Sequence, residues 1–254
     1  MAGVNSVAPL IMSETGKTRL WTSAKGAFAQ PVAEHALTLT LSLLRFLPKR
    51  IHATSWGQPQ GESLFGQNVL VVGAGGIALS FIEQLQPFNC NVTVLRRSVQ
   101  GAWPDHLKHV KIDSYTNLAA YLPSAGVIMI AAAATAETEN LFSLPQFEAM
   151  NKKAVVVNVA RGALIKTDDL VTALEKKLIL GAGLDVTAPE PLPADHKLWK
   201  ITQDSESNLI ITPHTADTPE QVKALLTQRC KDNIEALVAG KGEFVGVIDN
   251  SVGY

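Results

Sequence analysis

The sequence predicts an α/β fold: a doubly wound, mainly parallel sheet of about seven strands with helices packed on it. Short apolar runs alternate with helical patterns from residue 68 to residue 212, as a parallel sheet with crossover helices requires. The Val-rich runs are apolar at consecutive positions rather than at every second one, the pattern of strands covered on both faces. The first run, Asn68-Val69-Leu70-Val71-Val72, ends in Gly73-Ala74-Gly75-Gly76-Ile77-Ala78, a glycine turn that opens a helix.

The remaining elements follow in order. Residues 1–30 hold one weak strand pattern, Arg19-Leu20-Trp21-Thr22. Pro31 suits a first helical turn and Pro48 a stop, so a helix is expected over residues 31–47. Val32, Ala36, Leu39, Leu43 and Leu47 form one apolar stripe of that helix, and Leu37, Leu41 and Leu44 a second. A helix apolar on two sides is covered on both, here by its own domain and by a second copy of the chain. Glu34 and His35 read as structural, since no other ligand-type residue is spaced to join them. Residues 58–66 form a polar linker. Strands are then expected at 68–72, 91–95, 110–112, 126–131, 154–159, 181–186 and 209–212. Between them lie helices at 77–85, 115–122, 143–150 and after Thr167. Ser143 and Thr167 are expected to cap their helices, with Asp168 and Asp169 in the first turn of the latter. Thr135 and Thr138 lie in the loop after the fourth strand. An amphipathic helix closes the chain over residues 219–238. The chain divides into residues 1–30, 31–216 and 217–254.

The glycine turn carries chemistry as well as shape. Gly73 permits the tight turn, Gly75 lets the backbone approach a ligand closely, and Ala78 lets the helix pack on the strand. The helix start, through Gly76 and Ile77, presents unpaired N–H groups and the positive end of its dipole. A dinucleotide pyrophosphate fits such a place, which makes this a Rossmann-type unit. After the second strand, where an acidic residue would hold ribose hydroxyls, stand Arg96, Arg97 and Ser98. Arginines there suit a 2′-phosphate, hence NADP, with NAD as second choice.

Three polar residues follow late strands on the same edge: Arg161, Glu190 and His214. Reduction of a ketone by hydride needs a proton for the developing alkoxide, which His supplies near neutral pH. A 2-oxo acid also needs its carboxylate held and its carbonyl polarised, and the forked donors of Arg do both. A Glu beside the His keeps the imidazole oriented.

Composition narrows the classes. Lys and Arg total 22 against 23 Asp and Glu, and the basic residues are scattered, which speaks against a nucleic-acid surface. Cys90 and Cys230 lie far apart with no C-x-x-C, so they read as reduced thiols in a cytoplasmic protein. No apolar run approaches the roughly 20 residues needed to span a bilayer, and no signal peptide pattern opens the sequence.

Several separate stretches resemble one family, the D-isomer-specific 2-hydroxyacid dehydrogenases. They are Pro31-Val32-Ala33-Glu34-His35-Ala36-Leu37, the glycine turn, Asn158-Val159-Ala160-Arg161-Gly162, the segment from Leu184 to Pro193 with Trp199 beyond it, Thr212-Pro213-His214, and the ending from Val247 to Tyr254. The resemblance implies His214 as acid/base, Glu190 as its partner and Arg161 on the substrate carboxylate and carbonyl. It also implies Asp185 near the nicotinamide and Ala132 and Val159 among the cofactor contacts. Residues 131–134, all Ala, replace a segment that usually carries a Pro before Thr135. The family would supply a second, flavodoxin-like substrate lobe, of which residues 1–30 and 217–254 are remnants. Ala2-Gly3-Val4-Asn5 resembles its carboxylate loop, so the resemblance implies a start inside a longer protein and an impaired reaction for the chain as written. The function implied is hydride transfer between NADP(H) and a small 2-oxo or 2-hydroxy acid of the glyoxylate or hydroxypyruvate type, in a homodimer. The rival is a dinucleotide-sensing binding protein of the corepressor kind.

Overall fold

The structure, a computed structural model, describes residues 7–250 of the chain. The Ala2–Asn5 loop and the last four residues of the C-terminal motif lie outside the described residues. Contacts divide the chain into two units, Ala33–Ala216 and the pair Met1–Val32 with Asp217–Tyr254.

The Ala33–Ala216 unit is built on seven parallel strands in the order β3-β2-β1-β4-β5-β6-β7. They are β1 (Asn68–Val72), β2 (Asn91–Arg96), β3 (Lys111–Ser114), β4 (Val127–Ile130), β5 (Val155–Asn158), β6 (Gly181–Leu184) and β7 (Leu209–Ile211). Strands β4, β5 and β6 are buried at every position, and β1 at all but its first. This explains their unbroken apolar runs: each has neighbours on both sides and cover on both faces. The outer strands β2, β3 and β7 are only partly buried. Strand order reverses between β1 and β4, which pair in parallel with Val69–Val72 opposite Val127–Ile130. Parallel pairing throughout puts the carboxyl ends of all seven strands on one edge.

The first long helix runs from Ala29 to Leu44, not to Leu47. Phe46 takes a left-handed backbone with φ 53° and breaks it, and Pro48 then sits in the first turn of a separate short helix, Leu47–Arg50. Proline suits a helix start, so Pro48 is a beginning rather than the stop read from sequence. Strand β6 is small because this helix lies on it. A Cβ on Gly183 would stand 3.1 Å from Leu39 Cβ and 3.2 Å from Leu43 Cδ1. The buried Asn208 amide then ties the helix end down, donating to the Leu43 carbonyl at 3.0 Å and the Leu180 carbonyl at 3.2 Å.

One further local reading is corrected. Thr167 does not cap its helix, Thr167–Glu175; Lys166 is the capping position. The Thr167 hydroxyl instead donates to the Ala188 carbonyl at 2.6 Å, a long-range bond that takes precedence over the local one. Asp169, in that first turn, accepts from the Leu144 amide at 2.8 Å and so serves the neighbouring helix Leu144–Ala149. The helix expected at residues 115–122 begins as a 3₁₀ turn, Tyr115–Asn117.

In the other unit, two short helices, Ala8–Ile11 and Glu14–Lys17, precede an isolated antiparallel bridge between Thr22 and Val247. That bridge is all that forms of the strand read at residues 19–22. The helix Pro219–Val238 has the expected bounds and is capped by Thr218 and Gln221, but none of its residues is buried, so its apolar stripe stays at the surface. Arg229 on this helix donates to the Ser23 and Lys25 carbonyls at 3.0 and 2.8 Å. Among the described residues no helix is long and apolar enough to cross a membrane.

Candidate active site

The predicted site residues all follow strands of the sheet, on its carboxyl edge. Gly73, Gly75, Gly76 and Ile77 follow β1; Arg97 and Ser98 follow Arg96, the last residue of β2; Ala132 follows β4. Val159 and Arg161 follow β5, Asp185 and Glu190 follow β6, and His214 follows β7. At about 4.8 Å per strand, β2 and β7 lie roughly 24 Å apart. An extended dinucleotide would have to cover such a distance.

The glycine turn is tested residue by residue. Gly73 has φ 117°, a conformation that strains any L side chain, and a Cβ there would stand 2.6 Å from the Ala131 carbonyl carbon and oxygen. The chain therefore turns tightly against the end of β4. Gly75 differs: a Cβ there would meet nothing within 4 Å. Its lack of a side chain serves no packing inside the protein, which is the expectation for a surface reserved for a ligand. Gly75 caps the helix Gly76–Leu85 with no side-chain hydrogen bond, so the first-turn N–H groups keep their capacity to bind an anion. Ala78 is fully buried beneath. These residues fit a dinucleotide pyrophosphate.

At the end of β2, Arg96 Nη2 and Ser98 Oγ both donate to the Gln100 carbonyl, at 3.3 and 3.0 Å. That carbonyl fixes the loop and leaves most of the Arg96 guanidinium donors uncommitted to it. Ala132 and Val159 are buried at the neighbouring strand ends. In the loop past β4, the buried Thr138 accepts from the Thr135 amide at 2.8 Å and donates to the Ala133 carbonyl at 2.7 Å. That bonding ties the end of the all-Ala segment to the turn at residues 136–140.

The β5 end is organised by Asn158, fully buried. Its amide donates to the Arg161 carbonyl at 2.9 Å and its oxygen accepts from the Ala160 amide at 3.0 Å. Arg161 Nη1 bonds the Ala160 carbonyl at 2.6 Å. A guanidinium has five donors, so this tether orients the fork and leaves others for a ligand.

His214 and Glu190 are bonded directly, Nδ1 to Oε1 at 2.6 Å, with both side chains partly exposed. The pairing read from sequence is present. Glu190 is carried on an arm held by hydroxyls: Thr187 donates to the Pro189 carbonyl at 2.8 Å, and Thr167 to that of Ala188. His214 itself adopts φ 53°, an uncommon conformation for a residue with a side chain. Its amide donates to the Asp185 carbonyl at 2.9 Å.

Asp185, only 2% exposed, does more than sequence suggested. Its Oδ1 accepts from the Thr212 hydroxyl at 2.6 Å and the Thr215 amide at 2.9 Å, and its Oδ2 from the Ala216 amide at 3.2 Å. The carboxylate thus clasps the loop that bears His214 from both sides. His35 joins the same cluster, with Nε2 3.0 Å from Thr212 Oγ1 and 3.5 Å from Asp185 Oδ1. The reading that no ligand-type residue is placed to join His35 is corrected, since Asp185 is so placed. Its partners come from Asp185 and from Thr212, 177 positions away, and no local spacing could have shown them.

A seven-stranded parallel sheet with a bare glycine turn at its switch point defines a dinucleotide-binding α/β protein. The sequence profile of the D-isomer specific 2-hydroxyacid dehydrogenase NAD binding domain matches residues 37–216, and the chain belongs to that family. An uncharacterized protein encoded in the 3′ region of proB in Corynebacterium melassecola is 34% identical over 268 residues, covering 100% of this chain and 82% of its own length. Human glyoxylate reductase/hydroxypyruvate reductase is 30% identical over 219 residues, covering 82% of this chain and 64% of its own length. The chain thus spans just under two thirds of that relative. Among solved structures, a D-isomer specific 2-hydroxyacid dehydrogenase from Xanthobacter autotrophicus Py2, in complex with NADPH and MES, superposes with a TM-score of 0.81. It covers 98% of this chain and 99% of its own at 22% identity, a likeness of fold.

Proposed function

We propose that this protein transfers hydride between NADP(H) and a small 2-oxo or 2-hydroxy acid of the glyoxylate or hydroxypyruvate type. The observation that carries the reading is the 2.6 Å His214–Glu190 pair on the edge of the sheet that bears the glycine turn. Glu190 engages Nδ1, which leaves Nε2 of His214 as the atom that gives a proton to the alkoxide, or takes it back in the reverse direction. Arg161, tethered by one nitrogen, offers its remaining donors to the substrate carboxylate and carbonyl. The bound dinucleotide supplies the hydride. Asp185, Ala132 and Val159 border the nicotinamide end, and Gly73, Gly75, Gly76 and Ile77 the pyrophosphate. The human relative bears the name of a glyoxylate and hydroxypyruvate reductase, which supports the substrate class.

NADP over NAD is supported by Arg96, Arg97 and Ser98 at the end of β2, where a 2′-phosphate finds cationic donors and no carboxylate. Arg96→Asp should shift the preference toward NADH by roughly tenfold or more, the scale of one charge-assisted hydrogen bond lost and one repulsion gained. Equal dissociation constants of the unaltered protein for NADPH and NADH, read by nucleotide fluorescence, would refute it. A homodimer is supported by half-buried Leu37 and Leu41 on the Ala29–Leu44 helix and by exposed Leu47, Ile51 and Trp56 beyond it. Sedimentation at micromolar concentration measures it. The free thiols of Cys90 and Cys230 support a cytoplasmic location.

The experiment that tests the whole reading is steady-state oxidation of NADPH with glyoxylate and hydroxypyruvate as acceptors. Turnover that depends on His214 supports it. Tight NADPH binding with no turnover on any small 2-oxo acid would favour the alternatives, a dinucleotide-sensing protein or a catalytically impaired family member.

A further inference from the structure

We infer that His35 is a positioning residue for the reaction at His214, acting through Thr212 and Asp185. The inference rests on the assignment of His214 as the proton-transfer residue. The geometry fixes the direction of the chain of hydrogen bonds. Thr212 has one hydroxyl hydrogen, and it goes to Asp185 Oδ1 at 2.6 Å, since an ionised carboxylate only accepts. Thr212 Oγ1 must then accept at its contact with His35, so Nε2 of His35 carries a hydrogen and donates it at 3.0 Å. The line therefore runs His35 Nε2–H to Thr212 O–H to Asp185. From Asp185 it divides: the carboxylate takes the amides of Thr215 and Ala216, and the main-chain carbonyl takes the amide of His214.

The arrangement holds a backbone that would otherwise relax. His214 sits at φ 53°, and its neighbours on both sides are pinned to one carboxylate that is 2% exposed. Water does not replace a missing donor easily at such a site. His35 is 20% exposed and belongs to the Ala29–Leu44 helix, packed on β6 through Leu39 and Leu43. It therefore couples the position of that helix to the loop that carries the reactive imidazole. Removal of its donor leaves the Thr212 oxygen with one restraint fewer, so the hydroxyl holds Asp185 less firmly and the loop samples other orientations of His214. A displacement of about 1 Å at a reacting group can lower the rate on the order of 100-fold.

The test uses three variants: His35→Leu, which keeps bulk and removes the donor; His35→Gln, whose side-chain amide can reach the same point; and Thr212→Val, which cuts the line one step later. Two measurements are made on each. The first is kcat and KM for NADPH-dependent glyoxylate reduction. The second is amide hydrogen exchange at Thr215 and Ala216, which needs no activity. His35→Leu is expected to lower kcat about tenfold, the scale of one buried hydrogen bond, with KM for NADPH nearly unchanged and faster exchange at both amides. His35→Gln should restore most of both properties. Thr212→Val should match His35→Leu, and the double variant should be no worse than either. The inference is overturned by unchanged kcat and exchange in His35→Leu. Additive losses in the double variant, or a loss of melting temperature that His35→Gln does not repair, overturn it as well. If the unaltered protein reduces no small 2-oxo acid, the functional reading fails, and the exchange data alone decide whether His35 holds the loop.

Discussion

The glycine-turn end and the histidine end of the candidate site are built by opposite means. At β1 the chain is stripped of side chains: Gly73 fits against Ala131, and Gly75 faces space in which a Cβ would touch nothing. At β6 and β7 side chains are concentrated, and a buried carboxylate holds a loop through three hydrogen bonds while a histidine and a glutamate pair above it. The first end is arranged to receive a large charged group with backbone amides, which need no aiming beyond the helix they start. The second is arranged to keep one imidazole in one orientation, which takes many restraints because a side chain and its loop have several alternatives. On the proposed reading, a site for binding is made here by omission, whereas a site for proton transfer is held in place by many bonds.

Mutations at the two ends should therefore fail in different ways. The largest effect is expected at the β7 end. His214→Ala should reduce turnover on the order of 10²–10⁴-fold, with NADPH binding by fluorescence titration close to that of the unaltered protein. Loss of nucleotide affinity in that variant, or turnover near normal, would blur the distinction between the ends.

The next effect separates two glycines of one turn. Gly73→Ala forces a Cβ against the Ala131 backbone at φ 117° and should cost about 1–3 kcal/mol of strain, seen as a lower melting temperature. Gly75→Ala has an allowed backbone, φ −81°, and open space, so its melting temperature should stay within a few degrees. Its NADPH affinity should nevertheless fall roughly tenfold, the scale of a lost hydrogen bond to a charged group. Comparable melting losses in both variants would mean that Gly75 serves packing and not a ligand.

The smallest effect concerns the far end, beside β2. The Tyr121 hydroxyl, bonded to Asp113 at 2.5 Å, holds that carboxyl below its ordinary range, helped by the Ser114 amide and the Asn117 side chain. A lowered folded-state value means that the contribution to stability is present above the unfolded carboxylate value and is lost as pH falls through the folded one. Tyr121→Phe should move the Asp113 titration upward, as followed by carboxyl NMR, with little change in stability because the group is only partly buried and stays within reach of solvent. An unmoved titration would show that the Tyr121 hydroxyl is not its main support.

The same contrast decides what could be read from the amino acids alone. The glycine turn is contiguous, and each of its residues has one local reason, so strand, turn and helix were legible together. The strands β4 to β6 were legible because burial on both faces leaves unbroken apolar runs. His214 and Glu190 stood out as polar residues after late strands, and their bond is present. The clasp beneath them was not legible. Asp185 could be noticed, but its work on Thr212, Thr215 and Ala216 depends on register between β6 and β7. His35 reads as structural in the sequence because its partners lie across the fold. Thr167 misled for the same reason: a local cap was outbid by a carbonyl 21 positions on. The end of the first helix at Leu44, ahead of Pro48, turned on the left-handed Phe46, for which no residue nearby gave a sign.

The tie between His35 and Thr212 also sets a timetable. A ribosome releases the helix at Ala29–Leu44 well before β7, and the loop that bears His214 takes this shape only when these two meet. Contacts so distant along the chain close late in folding. A nascent or partly unravelled chain can already have the glycine turn, since β1 and its helix are neighbours in sequence. The clasped imidazole is confined to chains that have closed the whole sheet, so on the proposed reading an intermediate can hold nucleotide before it has a means of passing on a proton.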